Sequence, residues 1–211
     1  MSGGLSFQAA LSLLLQGRLL LYPTETFYAI GGNALNPDSV QAVYRAKVRN
    51  AAVPLPVIIG GMDQLNMLAS HVPETAWRLI RLFWPGPLTL LLPAAPGLPA
   101  PLTGGSGKVA ARLSSHPEAS RLSLEAGFPL ISSSANLSGE APALRPEDIS
   151  PVLLRAVHNA LYQAEPLPAG GLPSTIIDPV PEEAAGPLEL RLVRLGAIPA
   201  RRLEDMGFSL I

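Results

Sequence analysis

Five polar islands in this sequence carry residue types that can do chemistry. Lys47-Val48-Arg49 places two cations at a helix end. Lysine occurs only at Lys47 and Lys108, against thirteen arginines, so a lysine here is a sparingly used residue. A planar arginine fork beside a compact lysine charge suits a triphosphate; the other reading is two cations complementing a helix dipole. Ser132-Ser133-Ser134-Ala135-Asn136 offers dense donors and acceptors for a ribose, a phosphate or a carboxylate, or else a cap-and-turn cluster. Tyr22-Pro23-Thr24-Glu25-Thr26-Phe27-Tyr28 follows an apolar run. Its hydroxyls either face a crevice at a strand end, where open α/β sheets hold ligands, or satisfy a turn. Pro173-Ser174-Thr175 is a fourth island, read equally as an ordinary polar turn into a strand. The fifth is Arg112, inside the apolar run Val109 to Leu113. A buried arginine needs a partner, either a carboxylate of the protein or one on a ligand.

Other chemistries lack their residues. The chain has no cysteine, which removes disulfides, thiolate nucleophiles and thiolate metal sites and fits a cytoplasmic protein. His71, His116 and His158 are scattered, without metal-ligand spacing, and read as surface or helix-end residues. No G-x-S-x-G elbow is present. Gly104-Gly105-Ser106-Gly107-Lys108 looks like a phosphate loop, but Val109 follows the lysine and Leu102 stands at the first glycine position, so it reads as a flexible loop. The formal net charge is −1, with 15 Lys+Arg against 16 Asp+Glu. That balance favours a small-molecule ligand and makes tRNA binding weak or absent. Leu5 to Leu21 is apolar but is interrupted by Gln8, Gln16 and Arg18 and preceded by no Lys or Arg. It reads as a buried helix running into a strand, not a signal or a membrane span.

The elements that must position these islands alternate. With 211 residues and 48% hydrophobic content, the chain predicts one folded domain over 1–211. Helices are expected at Ser6–Gln16, Asn36–Lys47, Met62–Ala69, Glu74–Phe83, Pro117–Ala126 and Pro146–Ala160. Strands are expected at Arg18–Tyr22, Leu55–Ile59, Leu88–Leu92, Val109–Leu113, Pro129–Ser132, Thr175–Ile177 and Leu188–Val193. Pro23 ends the first strand, and Pro93 to Gly107 and Val180 to Gly186 are loops. The alternation argues α/β with a twisted mixed sheet and flanking helices.

The islands in this order resemble the YrdC-like family of threonylcarbamoyl-AMP synthases, within the YrdC/YciO superfamily. The matching segments are YPTETFYAIGG (22–32), AKVR (46–49), WPGPLT (84–89), VAARL (109–113), PLISSSANLSG (129–139), PSTIID (173–178) and RLGAI (194–198). Seven segments in order cover nearly the whole chain. The resemblance implies a deep ligand groove, with Lys47, Arg49, Ser134 and Asn136 as the K-x-R … S-x-N set. It implies ATP held by Lys47, Arg49, Asn136 and Arg194, and threonine held by Thr26, Arg112, Ser134 and Ser174, with Arg112 on the α-carboxylate. It also implies bicarbonate as a substrate, Mg²⁺ carried on the ATP phosphates, and downstream tRNA threonylcarbamoyl transferase proteins as partners. Larger members carry a C-terminal domain for which this sequence leaves no room.

Some positions depart from the family pattern. Val53 stands where a phosphate-side lysine is usual, and Ile58 where a histidine is usual on the threonine side. Tyr28-Ala29 replaces Tyr-Gly, Lys108 replaces a threonine, and Leu144 replaces a threonine. Lys108 offers a replacement cation from another direction. The Tyr-Ala pair resembles the YciO branch, whose reading is a nucleotide- or RNA-binding paralogue without the synthase activity.

Overall fold

The computed structural model describes residues 4–179 and 188–211. The chain opens with α1 (Phe7–Leu15), started by Ser6, whose Oγ accepts from the Ala9 N–H at 3.3 Å. Strands β1 (Leu20–Pro23) and β2 (Tyr28–Gly31) form an antiparallel hairpin. Asn36 caps α2 (Pro37–Lys47), accepting from the Asp38 N–H at 2.8 Å, with Pro37 at the first helical position. Next come β3 (Val57–Ile59), a 3₁₀ turn (Met62–Met67), α3 (Glu74–Phe83), β4 (Leu88–Pro93), a second 3₁₀ turn (Ala100–Thr103) and β5 (Lys108–Leu113). After α4 (Pro117–Ala126) the chain makes β6 (Leu130–Ile131) and β7 (Ser133–Ser134). A third 3₁₀ turn (Pro146–Asp148), α5 (Pro151–Ala156), β8 (Thr175–Pro179), β9 (Glu189–Arg194), α6 (Ala200–Glu204) and β10 (Ser209–Leu210) complete it.

Two sheets result. The larger has the order β10-β9-β8-β4-β5-β3-β6 and is mixed: β3/β5, β4/β8 and β9/β10 are parallel, the rest antiparallel. The smaller, β1-β2-β7, is antiparallel. The chain passes from one sheet to the other at Ser132, between β6 and β7, so the serine island is the seam. Gly31 is required there because a Cβ on it would lie 1.7 Å from the Ile131 carbonyl oxygen, and the Tyr22 hydroxyl donates to that same oxygen at 2.7 Å. The core is continuous across both sheets, with Leu20, Tyr22, Ile30, Val57, Leu90, Val109, Leu130 and Ile177 all fully buried.

The expected α/β architecture is the observed one, with local corrections. Pro23 closes β1 from within, opposite Tyr28; β1 is an edge strand, where proline is tolerated. The expected helix Pro146–Ala160 is a 3₁₀ turn and then a six-residue helix. Pro151 lacks the N–H that a continuous helix needs there, and Ser150 caps a new start instead, accepting from Val152 N–H at 3.3 Å. Met62–Met67 is 3₁₀ and not α. The sequence reading passed over β2, β7, α6 and β10. The loop expected at Val180 to Gly186 lies outside the described residues. Among the described residues no helix is long and apolar enough to cross a membrane.

Candidate active site

A cavity of about 640 Å³ is lined by residues of both sheets, with Ala29 and Ser134 on the small sheet and Leu91, Arg112, Ile176 and Arg194 on the large one. A second cavity of about 350 Å³ shares Arg49, Val53 and Ser134 with it and adds Lys47 and Asn136. Thr26, Arg49, Arg112, Ser134, Ser174 and Arg194 line the larger cavity, and Lys47, Arg49, Ser134 and Asn136 the smaller. Every site residue expected from the sequence is thus brought to one contiguous region, from segments more than a hundred positions apart.

Lys47 closes α2 and is 2% exposed. Its ammonium donates to the Ser134 carbonyl, to the Asn136 carbonyl at 2.5 Å and to Asn136 Oδ1 at 3.5 Å. Three donors meet three acceptors, so the ammonium is committed to the Ser134–Asn136 segment. Burial lowers its pKa to about 8, helped by the Arg49 charge and opposed by Glu140. The Asn136 amide in turn donates to the Leu137 and Glu140 carbonyls at 2.9 and 2.7 Å, shaping the loop beyond.

Val48 ends α2 with φ of +50°, a left-handed conformation that a β-branched side chain rarely adopts. It redirects the chain so that Arg49 leaves the helix and lines both cavities. The Val48 side chain is 79% exposed, so packing contributes little to offset the strain. Left-handed backbone costs an L-residue about 1–2 kcal/mol, and glycine loses about 0.5–1 kcal/mol in chain entropy. Val48→Gly is therefore expected to stabilise the fold by about 0.5–1 kcal/mol, a rise in Tm of about 1–4 °C. A lower Tm in thermal unfolding would contradict this.

Three guanidinium groups converge. Arg49 donates to the Pro54 carbonyl at 3.2 Å, while its buried Nε has no partner. Arg194 donates to the Ser174 carbonyl through Nε (3.1 Å) and Nη2 (2.8 Å), and to Ser174 Oγ at 3.1 Å. Ser174 Oγ also meets Thr89 Oγ1 at 2.8 Å. Gly196 permits this close approach, since a Cβ there would lie 2.2 Å from the Pro173 carbonyl oxygen. Burial depresses the pKa of Arg49 and Arg194, and the charges of Arg112 and Arg49 depress that of Arg194 further. Neutral groups hold Arg49 and Arg194, so a bound anion would relieve the mutual repulsion. Arg112, 6% exposed, does have a protein carboxylate: its Nε lies 3.3 Å from Glu25 Oε1, and Nη2 lies 3.5 Å from Ser132 Oγ.

The departures sort by place. Val53 lines both cavities. Ala29 presents its methyl to the larger one without leaving normal strand pairing. Ile58 is fully buried in β3 beside Arg112 and lines neither cavity. Leu144 packs on Gly170, where a Cβ would come within 2.5 Å of Leu144 Cδ2. Lys108 corrects the expectation of a replacement cation: its Nζ donates to both Asp178 carboxylate oxygens, at 2.6 and 2.7 Å, and it lines neither cavity. β5 and β8 both flank β4, so a lysine at the start of β5 reaches the carboxylate in β8. The glycines before it, Gly104, Gly105 and Gly107, have positive φ and form a turn.

His116 is a buried helix cap, its Nδ1 accepting from the Ala119 N–H and its Nε2 at 2.8 Å from the Pro166 carbonyl. Among the described residues no cluster of His, Asp and Glu could hold a metal ion. Two participants escaped the sequence reading. Glu25 stood within a quoted island but carried no assigned role; the one signal for it in the sequence was a lone carboxylate between two threonines. Thr89 stood in WPGPLT with no residue-level signal at all.

The geometry defines a class, an α/β protein with a cationic, hydroxyl-lined groove between two sheets that suits an anionic small molecule. The chain belongs to the Sua5/YciO/YrdC family, whose model, described as "Telomere recombination", matches residues 12–193. It is 42% identical over 142 residues to a Threonylcarbamoyl-AMP synthase of Bacillus subtilis, covering 67% of this chain and 41% of that protein. It is 33% identical over 198 residues to a Putative threonylcarbamoyl-AMP synthase of Mycobacterium tuberculosis, covering 94% and 87%. Sua5 of Pyrococcus abyssi complexed with L-threonine superposes with a TM-score of 0.84 at 31% identity, covering 97% of this chain and 58% of that one. The aligned segments cover 38% of the relative from Pyrococcus abyssi and 41% of the one from Bacillus subtilis, so the chain matches only part of their length. YciO of E. coli superposes at 0.70 with 22% identity, a likeness of fold alone, which leaves the paralogue reading without support of its own.

Proposed function

We propose that this chain is an L-threonylcarbamoyladenylate synthase, a nucleotidyltransferase joining L-threonine, bicarbonate and ATP and releasing pyrophosphate. The observation that carries the reading is the convergence of Arg49, Arg112 and Arg194 with Ser134 and Ser174 on one cavity that Phe27, Leu91 and Ile176 also line. Such a cavity suits a ligand pair with several negative charges and an apolar portion. The relatives named as synthases and the threonine complex of Sua5 support the choice of substrates.

Arg49 and Arg194 take the nucleotide phosphates, with Lys47 and Asn136 shaping the loop beside them. Arg112 takes the threonine α-carboxylate, with Thr26, Ser134 and Ser174 around the amino acid. The amine combines with bicarbonate to give a carbamate and water. A carbamate oxygen then attacks the α-phosphorus of ATP, and the bond to pyrophosphate breaks. The protein's part is positioning and charge neutralisation, with no covalent nucleophile. Mg²⁺ fits as a passenger on the phosphates, because the groove's donors are arginines and hydroxyls and not carboxylates. The product serves tRNA threonylcarbamoyl transferase proteins, in the cytoplasm.

Incubating the chain with ATP, bicarbonate and a panel of amino acids, with mass spectrometry and pyrophosphate release as readouts, tests this. Threonine-dependent adenylate is the expected product. ATP binding without adenylate from any amino acid would overturn the reading.

A further inference from the structure

We propose that Glu25 is a positioning residue that aims the Arg112 guanidinium into the groove, and that Ser114 holds Glu25 for this task. The inference rests on the reading of Arg112 as the site for the amino-acid carboxylate. Glu25 lies in the turn between β1 and β2 of the small sheet, and Arg112 in β5 of the large one. Glu25 Oε1 is 3.3 Å from Arg112 Nε, and their side chains are only 12% and 7% exposed. The other oxygen, Oε2, accepts from Ser114 Oγ at 2.6 Å. Ser114 follows β5 directly and is 3% exposed, and its Oγ accepts from the His116 N–H at 3.2 Å. The turn is fixed from outside by the Ala169 N–H on the Glu25 carbonyl (3.3 Å) and the Gly170 N–H on the Thr26 carbonyl (3.0 Å). The carboxylate therefore spans the two sheets from a braced turn and lies beside the Nε edge of the guanidinium as a close ion pair, although neither Glu25 Oε1 nor Arg112 Nε makes a hydrogen bond. Arg112 lines the larger cavity and Glu25 does not. A carboxylate beside that edge draws the Nε side of the guanidinium toward itself and leaves the Nη donors to the groove, as two-point recognition of a ligand carboxylate requires.

A second role is open to the same carboxylate, that of screening the three arginines, and the two roles predict opposite signs. Without a negative charge at Glu25 the groove is more cationic, so simple screening predicts tighter threonine binding in Glu25→Gln. Positioning predicts weaker binding, because the guanidinium is no longer aimed. Calorimetric titration of threonine and, separately, of ATP into the full chain reads the difference. In Glu25→Gln the Kd for threonine is expected to rise about tenfold, the scale of losing a close ion pair away from bulk water, with ATP affinity within about twofold. In Ser114→Ala, where the charge stays and only its anchor is lost, a rise of about threefold is expected. Adding Glu25→Gln to Arg112→Lys should weaken threonine binding less than it does in the wild-type background. Unchanged or tighter threonine binding in both single variants, in protein that still makes adenylate, overturns the positioning role and leaves the proposed function standing. Equal losses of threonine and ATP binding would also overturn it, as the mark of a merely structural role. Absence of threonine binding in the wild-type chain overturns the functional reading and this inference with it.

Discussion

Arg49→Ala is expected to lower kcat/KM for adenylate formation by about 10²–10³-fold, the scale measured when one preorganised donor to developing charge is removed. The fold should be nearly untouched. The side chain makes one hydrogen bond to the protein, to the Pro54 carbonyl at 3.2 Å, and its buried Nε makes none. Losing that bond costs about 1 kcal/mol, and removing a desolvated charge beside Lys47 and Arg194 offsets part of it. A group that stabilises the fold so little, yet is drawn into a cavity with two other guanidiniums, fits the phosphate role proposed for it. Steady-state kinetics over ATP and threonine concentrations, with a thermal melt of the same sample, checks both halves. Turnover within tenfold of wild type would remove Arg49 from the phosphate site. Arg49→Lys should recover only part of the loss, because lysine brings the charge without the fork.

How much of this was legible in the sequence depends on the range of the interactions. Ser6, Asn36 and Pro117 fixed helix starts to within a residue, because caps act on their own first turn. The end of α3 was equally readable, from Pro85-Gly86-Pro87. Strand β7 was not legible: two serines have little strand propensity and pair only because Ile131 and Gly31 bring the sheets into contact. The cationic islands were visible, but their commitments were not. Lys108 and Lys47 are the same residue type, yet one is spent on Asp178 and the other on the serine loop, and both partners lie at least seventy positions away. The partner of Arg112 stayed open for the same reason, since the β1–β2 turn reaches it only through the folded arrangement of two sheets.

Lys47 sharpens the distinction between holding a ligand and holding the residues that do. Lys47→Met keeps the length of the side chain and removes all three donors. Two terms then oppose each other in stability. The carbonyls of Ser134 and Asn136 lose a partner, at about 1–3 kcal/mol for each that stays buried, while the penalty for burying an ammonium disappears. The net change is expected to stay within about 2 kcal/mol. Activity is expected to fall about 100-fold or more, because Ser134 and Asn136 lose the strut that fixes them. The loss should affect the KM values of both ATP and threonine, since Ser134 faces both cavities; a rise confined to ATP would show direct phosphate contact instead. Titration gives a second signature. The folded-state pKa of about 8 lies below the ordinary lysine value of 10.5. Between those values the unfolded chain holds the proton and the folded chain does not, so stability rises with pH across that window and is lost as pH falls through about 8. Activity should move the other way, because a neutral amine has one donor fewer for the loop. Urea titrations from pH 7.5 to 10.5 should show the stability slope in the wild type and its absence in Lys47→Met. An activity decline through about pH 8, with no loss of stability, would then belong to the strut and not to unfolding.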